Sequence, residues 1–250
     1  MKLEQRALRF HAAGVGLIGI VDVPERPLVR GMLVLPDSTQ YRAGSHRRFT
    51  LLSRLLAGRG IAVMRFDRRG FGDSEGDRAS PGSMPAAEDI EAALKEFFIH
   101  VPEMTECVIL APGDAAPLAA SYAAGDSRVT GLALLDPLLP SLAAGGLPQP
   151  APLSVAQRLL RRAAALGRAA AEAAGAAAAP GTGPAAAPAP AGFGGSVLLI
   201  CAGSAAGSSC ALEHQGAPSR RIELAGCGEA GGSAWREAVA FACASWLTSW

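Results

Sequence analysis

Residues 40–77, QYRAGSHRRFTLLSRLLAGRGIAVMRFDRRGFGDSEGD, carry the pattern that decides the fold. They predict an amphipathic helix, then a strand over residues 61–66 whose apolar run is typical of a strand covered on both faces. A glycine-rich turn, residues 67–74, follows at the carboxyl end of that strand, where open α/β sheets bind their ligands. The predicted buried face of the helix consists of Phe49, Leu52, Leu55 and Leu56, and its predicted solvent face of Arg47, Arg48, Ser53 and Arg54.

Short apolar runs and helical segments alternate along the rest of the chain. This order favours an α/β protein with a mostly parallel, doubly wound sheet and right-handed crossovers. Residues 7–12 and 16–23 flank a glycine turn, so they predict an antiparallel hairpin at the start of the sheet. The further predicted strands are 31–36, 107–112, 129–136, 196–202 and 220–224, and the further predicted helices are 85–98, 115–124 and 234–246.

Composition limits the classes of function. A chain of 250 residues, 50% of them apolar, is long enough for one substantial core. Its 23 basic and 22 acidic residues nearly cancel, so nothing favours a nucleic acid or an anionic membrane as partner. No run approaches the roughly 20 apolar residues of a membrane span, and the first ten residues lack a signal-peptide core, so we expect a cytoplasmic protein. Five cysteines without paired spacing indicate reduced thiols.

The turn DRRGFGDS, residues 67–74, resembles the D-x-R-G-x-G-x-S turn of the α/β-hydrolase family. Together with QYRAGSHR, residues 40–47, it is similar to the α/β hydrolases encoded beside exosortase A exopolysaccharide systems. The resemblance implies an α/β-hydrolase fold, an ester or thioester hydrolase activity without a cofactor, and a small acyl or ester ligand. It also implies a protein partner within the exopolysaccharide machinery.

The resemblance also predicts the domain organisation. Residues 1–146 form the first part of the hydrolase core, and residues 196–250 supply its last two strands and its C-terminal helix. Residues 147–195 take the place of the family's cap, and from residue 169 they become a low-complexity stretch rich in Ala and Pro. We therefore expect a reduced cap insertion.

The catalytic positions of the family are the poorest part of the match. The nucleophile would precede Asp114, where the chain has Gly113, and the acid would lie within residues 203–207, where Ala205 stands and no carboxylate occurs. The base would lie near Glu229, but the chain has no histidine after His214. Three absences predict a degenerate triad, and hence a non-catalytic binding or accessory role.

Two other functions remain open from the sequence. One is an active acyl hydrolase with a displaced nucleophile, such as Cys227 or Ser74, which lies in a G-x-S-x-G pattern after a strand that does not normally carry the nucleophile. The other is a chain without a selected function, which cooperative folding would argue against. Cys210, His214 and Cys227 have no recognised metal-ligand spacing, and we expect them to be unrelated loop residues.

Several polar residues are candidates for ligand contact. Tyr41 and Arg42 suit carboxylate or phosphate recognition. His46 is a candidate for anion binding near a helix N-terminus, although a capping role for its neighbour Ser45 is favoured. The exit loop of the first buried strand lies where the family places one oxyanion N–H, and the backbone of Asp114 would supply another. Asp136 is a candidate relocated acid. The predicted ligand-binding residues are Gln40, Tyr41, Arg42, His46 and Asp114.

Overall fold

The computed structural model describes residues 3–79, 83–137, 193–201, 219–224 and 232–249. Its strands are β1 (Leu3–Ala12), β2 (Val15–Pro24), β3 (Arg30–Val34), β4 (Val63–Phe66), β5 (Glu106–Pro112), β6 (Val129–Leu135), β7 (Ser196–Cys201) and β8 (Ser219–Glu223). Its helices are α1 (Arg48–Ala57), α2 (Met84–His100), α3 (Ala116–Ala123) and α4 (Ser233–Leu247). Most of the predicted cap, residues 147–192, lies outside the described residues.

The strands form one eight-stranded sheet in the order β1-β2-β4-β3-β5-β6-β7-β8. The β1–β2 hairpin is antiparallel and also pairs antiparallel with β4, and every pair from β4 to β8 is parallel. Ala13 and Gly14 turn the hairpin with φ of 48° and 86°, the positive pair that a two-residue type I′ turn requires. The predicted hairpin and the predicted mostly parallel sheet are confirmed.

Helices cover both faces of the sheet. One apolar cluster packs beneath α2 and α3 and takes Leu33 and Leu35, whereas the other packs beneath α1 and α4 and takes Met32 and Val34. Alternate residues of a strand point to opposite faces, so a strand covered on both sides must be apolar throughout. This is why the central strands read as continuous apolar runs in the sequence.

The start of α1 differs from the prediction. The helix begins at Arg48, after Arg47 in the left-handed region with φ of 58°, and no side chain caps it. The predicted cap from Ser45 is wrong because the carbonyl of Ala43 accepts from the backbone N–H of Phe49 and Thr50, at 3.0 and 3.4 Å. The first turn of the helix therefore needs no side-chain acceptor.

The turn after β4 is organised around Asp67, whose side chain is 0% exposed. Its carboxylate accepts hydrogen bonds from the backbone N–H of Arg42 at 2.6 Å and of Asp73 at 3.0 Å, and it also pairs with the Arg42 guanidinium. Gly72, with φ of 54°, passes so close that a Cβ there would lie 2.1 Å from this carboxylate. Asp67 thus ties the loop before α1 to the turn after β4.

Candidate functional site

A cavity of about 220 Å³ lies at the carboxyl edge of the parallel strands, where α/β sheets bind their ligands. Its walls come from the carboxyl ends of β3, β5 and β6 and from helices α1 and α4. The lining residues are Asp37, Gln40, Arg48, Pro112, Gly113, Leu135, Asp136 and Trp235.

Gly113 is the residue that the sequence places at the predicted nucleophile position. It follows β5 directly, has φ of 53°, and opens a single 3₁₀ turn, Gly113–Ala115, that leads into α3. A sharp strand-to-helix turn of this kind is the nucleophile elbow, which presents its first residue to the edge of the sheet. A Cβ on Gly113 would meet nothing closer than the Cβ of Asp37, at 4.0 Å, among the described residues. The turn therefore has room for a side chain at position 113 but carries no nucleophilic atom there.

The carboxylate of Asp114, the next residue, reaches the loop after β3. It accepts a hydrogen bond from the backbone N–H of Ser38 at 2.9 Å and another from the hydroxyl of Ser38. Ser38 lies in the loop after β3, which is the loop predicted to supply an oxyanion N–H. This donor already has an internal acceptor, so in this arrangement it does not point at an empty oxyanion hole.

Asp37 is the best-satisfied charge in the cavity wall. One of its oxygens accepts from the backbone N–H of Thr39 at 2.9 Å and from the Thr39 hydroxyl at 2.6 Å. The other accepts from the Gln40 side chain at 2.9 Å and lies 3.4 Å from the Arg48 guanidinium. The amide oxygen of Gln40 accepts from the backbone N–H of Ser45 at 2.9 Å, so Gln40 orders the rim of the cavity.

Arg48 is the positively charged residue among the described residues that line the cavity. The helical periodicity of the sequence predicted its exposure wrongly. Its side chain is 16% exposed although the pattern of α1 assigned it to the solvent face, and Ser53 was misplaced in the same way. Burial lowers the pKa of Arg48 below its ordinary value, against the opposite influence of Asp37 and Asp136. The available signal was its position: Arg48 begins α1 beside the loop after β3, so its side chain turns toward the sheet edge.

Asp136 and Trp235 complete the lining. Asp136 ends β6 in the left-handed region with φ of 42°, and its side chain is exposed at the cavity. Trp235 belongs to the predicted apolar stripe of the last helix; it is 3% exposed and packs in the core, as predicted, yet also faces the cavity. The cavity wall therefore combines a core aromatic residue with three charged side chains.

The other predicted ligand contacts lie on the rim outside this cavity. Tyr41 is 46% exposed, and His46 is exposed with φ of 49°. The Arg42 guanidinium pairs with the carboxylates of Asp67 and, at 2.5 Å, of Asp73, so it holds the turn. Ligand binding by these three residues stays a prediction.

Ser74 has a structural position. Its hydroxyl donates to the carbonyl of Asp67 at 2.7 Å and accepts from the backbone N–H of Ile18 at 2.9 Å, so it joins the turn to β2. The residues predicted at the acid and base positions, Ala205 and Glu229, lie outside the described residues, as do Cys210, His214 and Cys227.

Two further absences concern the described part of the chain. It contains no cluster of three or more His, Cys, Asp or Glu side chains arranged to hold a metal ion. Within the same residues, no helix has both the length and the apolar character that crossing a membrane requires.

Comparison of the sequence with protein-family models and with curated proteins gives no match. Among solved structures, the chain is similar to Est1E from Butyrivibrio proteoclasticus, solved with ferulic acid, at a TM-score of 0.63 and 14% identity over 96% of this chain and 98% of that one. It is also similar to an alpha-beta serine hydrolase homologue from Coxiella burnetii, at a TM-score of 0.58 and 14% identity over 97% and 95% of the two chains.

A partial match links the chain to the Pyrococcus furiosus esterase Pf2001, at a TM-score of 0.48 and 19% identity over 54% of this chain. The chain spans about half of that esterase, 53% of its length. The two full-length likenesses show the fold of the chain. The chain has the α/β-hydrolase fold.

Proposed function

We propose that this protein is a ligand-binding member of the α/β hydrolases that does not hydrolyse acyl bonds. The observation that carries the proposal is Gly113. The elbow around it has the positive φ and the open space of a nucleophile position, but glycine offers no hydroxyl or thiol. Acyl transfer on this fold proceeds through a covalent intermediate, which needs such a group.

Two further features support a loss of turnover. The carboxylate of Asp114 accepts from the Ser38 N–H, so this donor of the loop after β3 is not free for a developing oxyanion. The chain between residues 215 and 250 has no histidine, the residue type that serves as the base of this family. The nucleophile, the oxyanion donor and the base are thus all altered.

The bonds of Ser74 argue against the alternative of a displaced nucleophile there. A nucleophilic hydroxyl donates its hydrogen bond to a base such as an imidazole, whereas the Ser74 hydroxyl donates to the Asp67 carbonyl. Its lone pairs also serve the Ile18 N–H. Attack by Ser74 would require both structural bonds to break.

The biological setting follows from the resemblance of residues 40–47 and 67–74. We propose a cytoplasmic accessory role beside an exosortase A exopolysaccharide system, in which the cavity holds a small acyl compound and the protein surface meets a partner of that machinery. The nearly balanced charge of the chain suits such partners better than a nucleic acid.

The test of the missing activity is direct. Purified protein is assayed with p-nitrophenyl acetate and butyrate and is treated with a fluorophosphonate probe, with an active serine esterase as the positive control. We expect rates equal to those of buffer and no labelling. Stoichiometric labelling, or turnover that Ser74→Ala or Cys227→Ala abolishes, would overturn the proposal and establish a displaced nucleophile.

A further inference from the structure

The cavity contains a buried cation with too few acceptors. The side chain of Arg48 is only 16% exposed. Among the described residues its closest carboxylate contact is nevertheless long, 3.4 Å to Asp37. Its Nε is buried and has no hydrogen-bond partner within the described residues. A buried charge is stable only when it is well paired and hydrogen-bonded, and the long contact with Asp37 pairs Arg48 only weakly.

The nearest carboxylate does not fill that role. Asp37 already accepts three hydrogen bonds at 2.6–2.9 Å from Thr39 and Gln40, and these donors satisfy most of its lone pairs. Its position is thereby fixed at the long distance from Arg48. Burial accordingly outweighs the attraction of Asp37 and Asp136 and lowers the pKa of Arg48.

A second donor in the wall lacks a partner as well. The indole Nε1 of Trp235, in a residue that is 3% exposed, makes no hydrogen bond to any described part of the chain. Guanidinium groups only donate, so an occupant that reaches the exposed part of Arg48 must supply acceptor oxygens. At about 30 Å³ for each water, the cavity of about 220 Å³ has room for roughly seven waters or for one compact organic molecule.

We propose that this cavity binds the carboxylate of a small organic acid, with the Arg48 guanidinium as its cation and Trp235 as an apolar wall. The inference rests on the proposed ligand-binding function and names its ligand class. A carboxylate is planar and matches the guanidinium edge with two parallel hydrogen bonds, which a neutral ester carbonyl cannot form.

The other carboxylate of the lining opposes this binding only weakly. Asp136 is exposed at the cavity, so solvent and salt screen its charge, whereas Arg48 is largely buried and is screened less. The balance has a measurable consequence. Replacing Asp136 by Asn should strengthen acid binding, about two- to fivefold, because it removes a like charge.

The experiment is calorimetric titration of the full chain with acetate, butyrate and benzoate, and with methyl benzoate and benzamide as neutral counterparts of the same shape. We expect at least one acid to bind about tenfold or more tightly than its neutral counterpart. Arg48→Gln should weaken acid binding by about 10- to 100-fold, the range of a hydrogen bond to a charged group. Arg54→Gln, on the exposed side of α1, is the matched control and should leave it unchanged.

The outcomes separate this inference from the proposed function. Equal or tighter binding of the ester, undiminished binding by Arg48→Gln, or no binding of any acid would overturn the carboxylate site. Release of acid from methyl benzoate, detected in the same samples, would instead overturn the non-catalytic function. Arg48→Lys keeps the charge but lacks the planar guanidinium, and it replaces Arg48→Gln as the test if that variant does not fold. It should bind acids more weakly than the native chain does. Unchanged affinity would also overturn the carboxylate site.

Discussion

Two glycines with the same backbone angle should respond very differently to alanine. Gly113 at the elbow has φ of 53° and Gly72 in the turn after β4 has φ of 54°. A Cβ on Gly113 would reach only the Cβ of Asp37, at 4.0 Å, whereas a Cβ on Gly72 would lie 2.1 Å from a carboxylate oxygen of Asp67. The pair therefore separates the cost of the backbone angle from the cost of a clash.

The magnitudes follow from these distances. Left-handed backbone costs a non-glycine residue about 1–2 kcal/mol, and alanine recovers about 0.4–1 kcal/mol through the less free unfolded chain. Gly113→Ala should thus lower the free energy of unfolding by about 1 kcal/mol. Gly72→Ala must in addition displace the fully buried Asp67 from Arg42 and Asp73, and breaking such a buried charge pair costs about 3–5 kcal/mol. Its total should reach about 4 kcal/mol or more.

Urea unfolding followed by tryptophan fluorescence and far-ultraviolet circular dichroism measures both costs. For a chain of this size the melting temperature should fall by about 2–4 °C for Gly113→Ala and by about 8 °C or more for Gly72→Ala. Similar costs for the two variants would refute the reasoning. A loss above about 3 kcal/mol at Gly113 would mean that the elbow has no room for a side chain, and a loss below about 1.5 kcal/mol at Gly72 would mean that Asp67 does not organise the turn.

Three further results are expected. Ser74→Ala should cost about 1–3 kcal/mol in urea unfolding, because it leaves the Ile18 N–H without an acceptor, and acid binding should be unchanged; no loss of stability would contradict the structural role. Burial raises the pKa of Cys243 to about 12, so iodoacetamide at about pH 8 should modify it only after denaturation, as mass spectrometry of the native and unfolded protein will show. Burial raises the pKa of Asp126, but hydrogen bonds from Arg128 and Tyr122 outweigh this effect and hold the pKa below its ordinary value. A carboxylate whose pKa is lowered in the folded state stabilises the fold above its unfolded pKa and loses that contribution as the pH falls. The native chain should therefore lose its excess free energy of unfolding over Asp126→Asn between about pH 5 and pH 3. Parallel pH profiles of unfolding for the two chains would contradict this.

The framework was predictable because it depends on patterns that are local in the sequence. Apolar runs predicted the central strands, the helical period predicted the buried face of α1, and the turn of residues 67–74 predicted the α/β-hydrolase fold. Charge pairs within the sheet were not predictable. Arg65 lies inside the run read as a buried strand, and its guanidinium pairs at 3.0 Å with Asp22, 43 positions away. No local pattern shows that two distant charges meet.

The sequence predicted which loops meet at the carboxyl edge of the sheet but not the contacts that their side chains make. Gly113 and the loop after β3 were found because chain order assigns them to the carboxyl edge of the sheet. Arg48 was missed because the helical period counts every charged residue as exposed, and Ser53 was missed because its hydroxyl bonds within the helix to the Phe49 carbonyl at 2.7 Å. Such a hydroxyl can be buried without a distant partner. Partners of this kind are visible only in three dimensions.

The positions that make the fold and those that make the chemistry are separate in this chain. Asp67 and Ser74 are buried or half-buried and hold two loops to the sheet, so their loss would cost stability. The residue at the elbow contributes almost no packing, since even an added Cβ there would touch little. A nucleophile at position 113 can therefore be lost while the sheet, the cavity and Arg48 remain. Because the cavity survives such a loss, selection can retain the protein for binding, and the weakly paired Arg48 in its wall indicates what it binds.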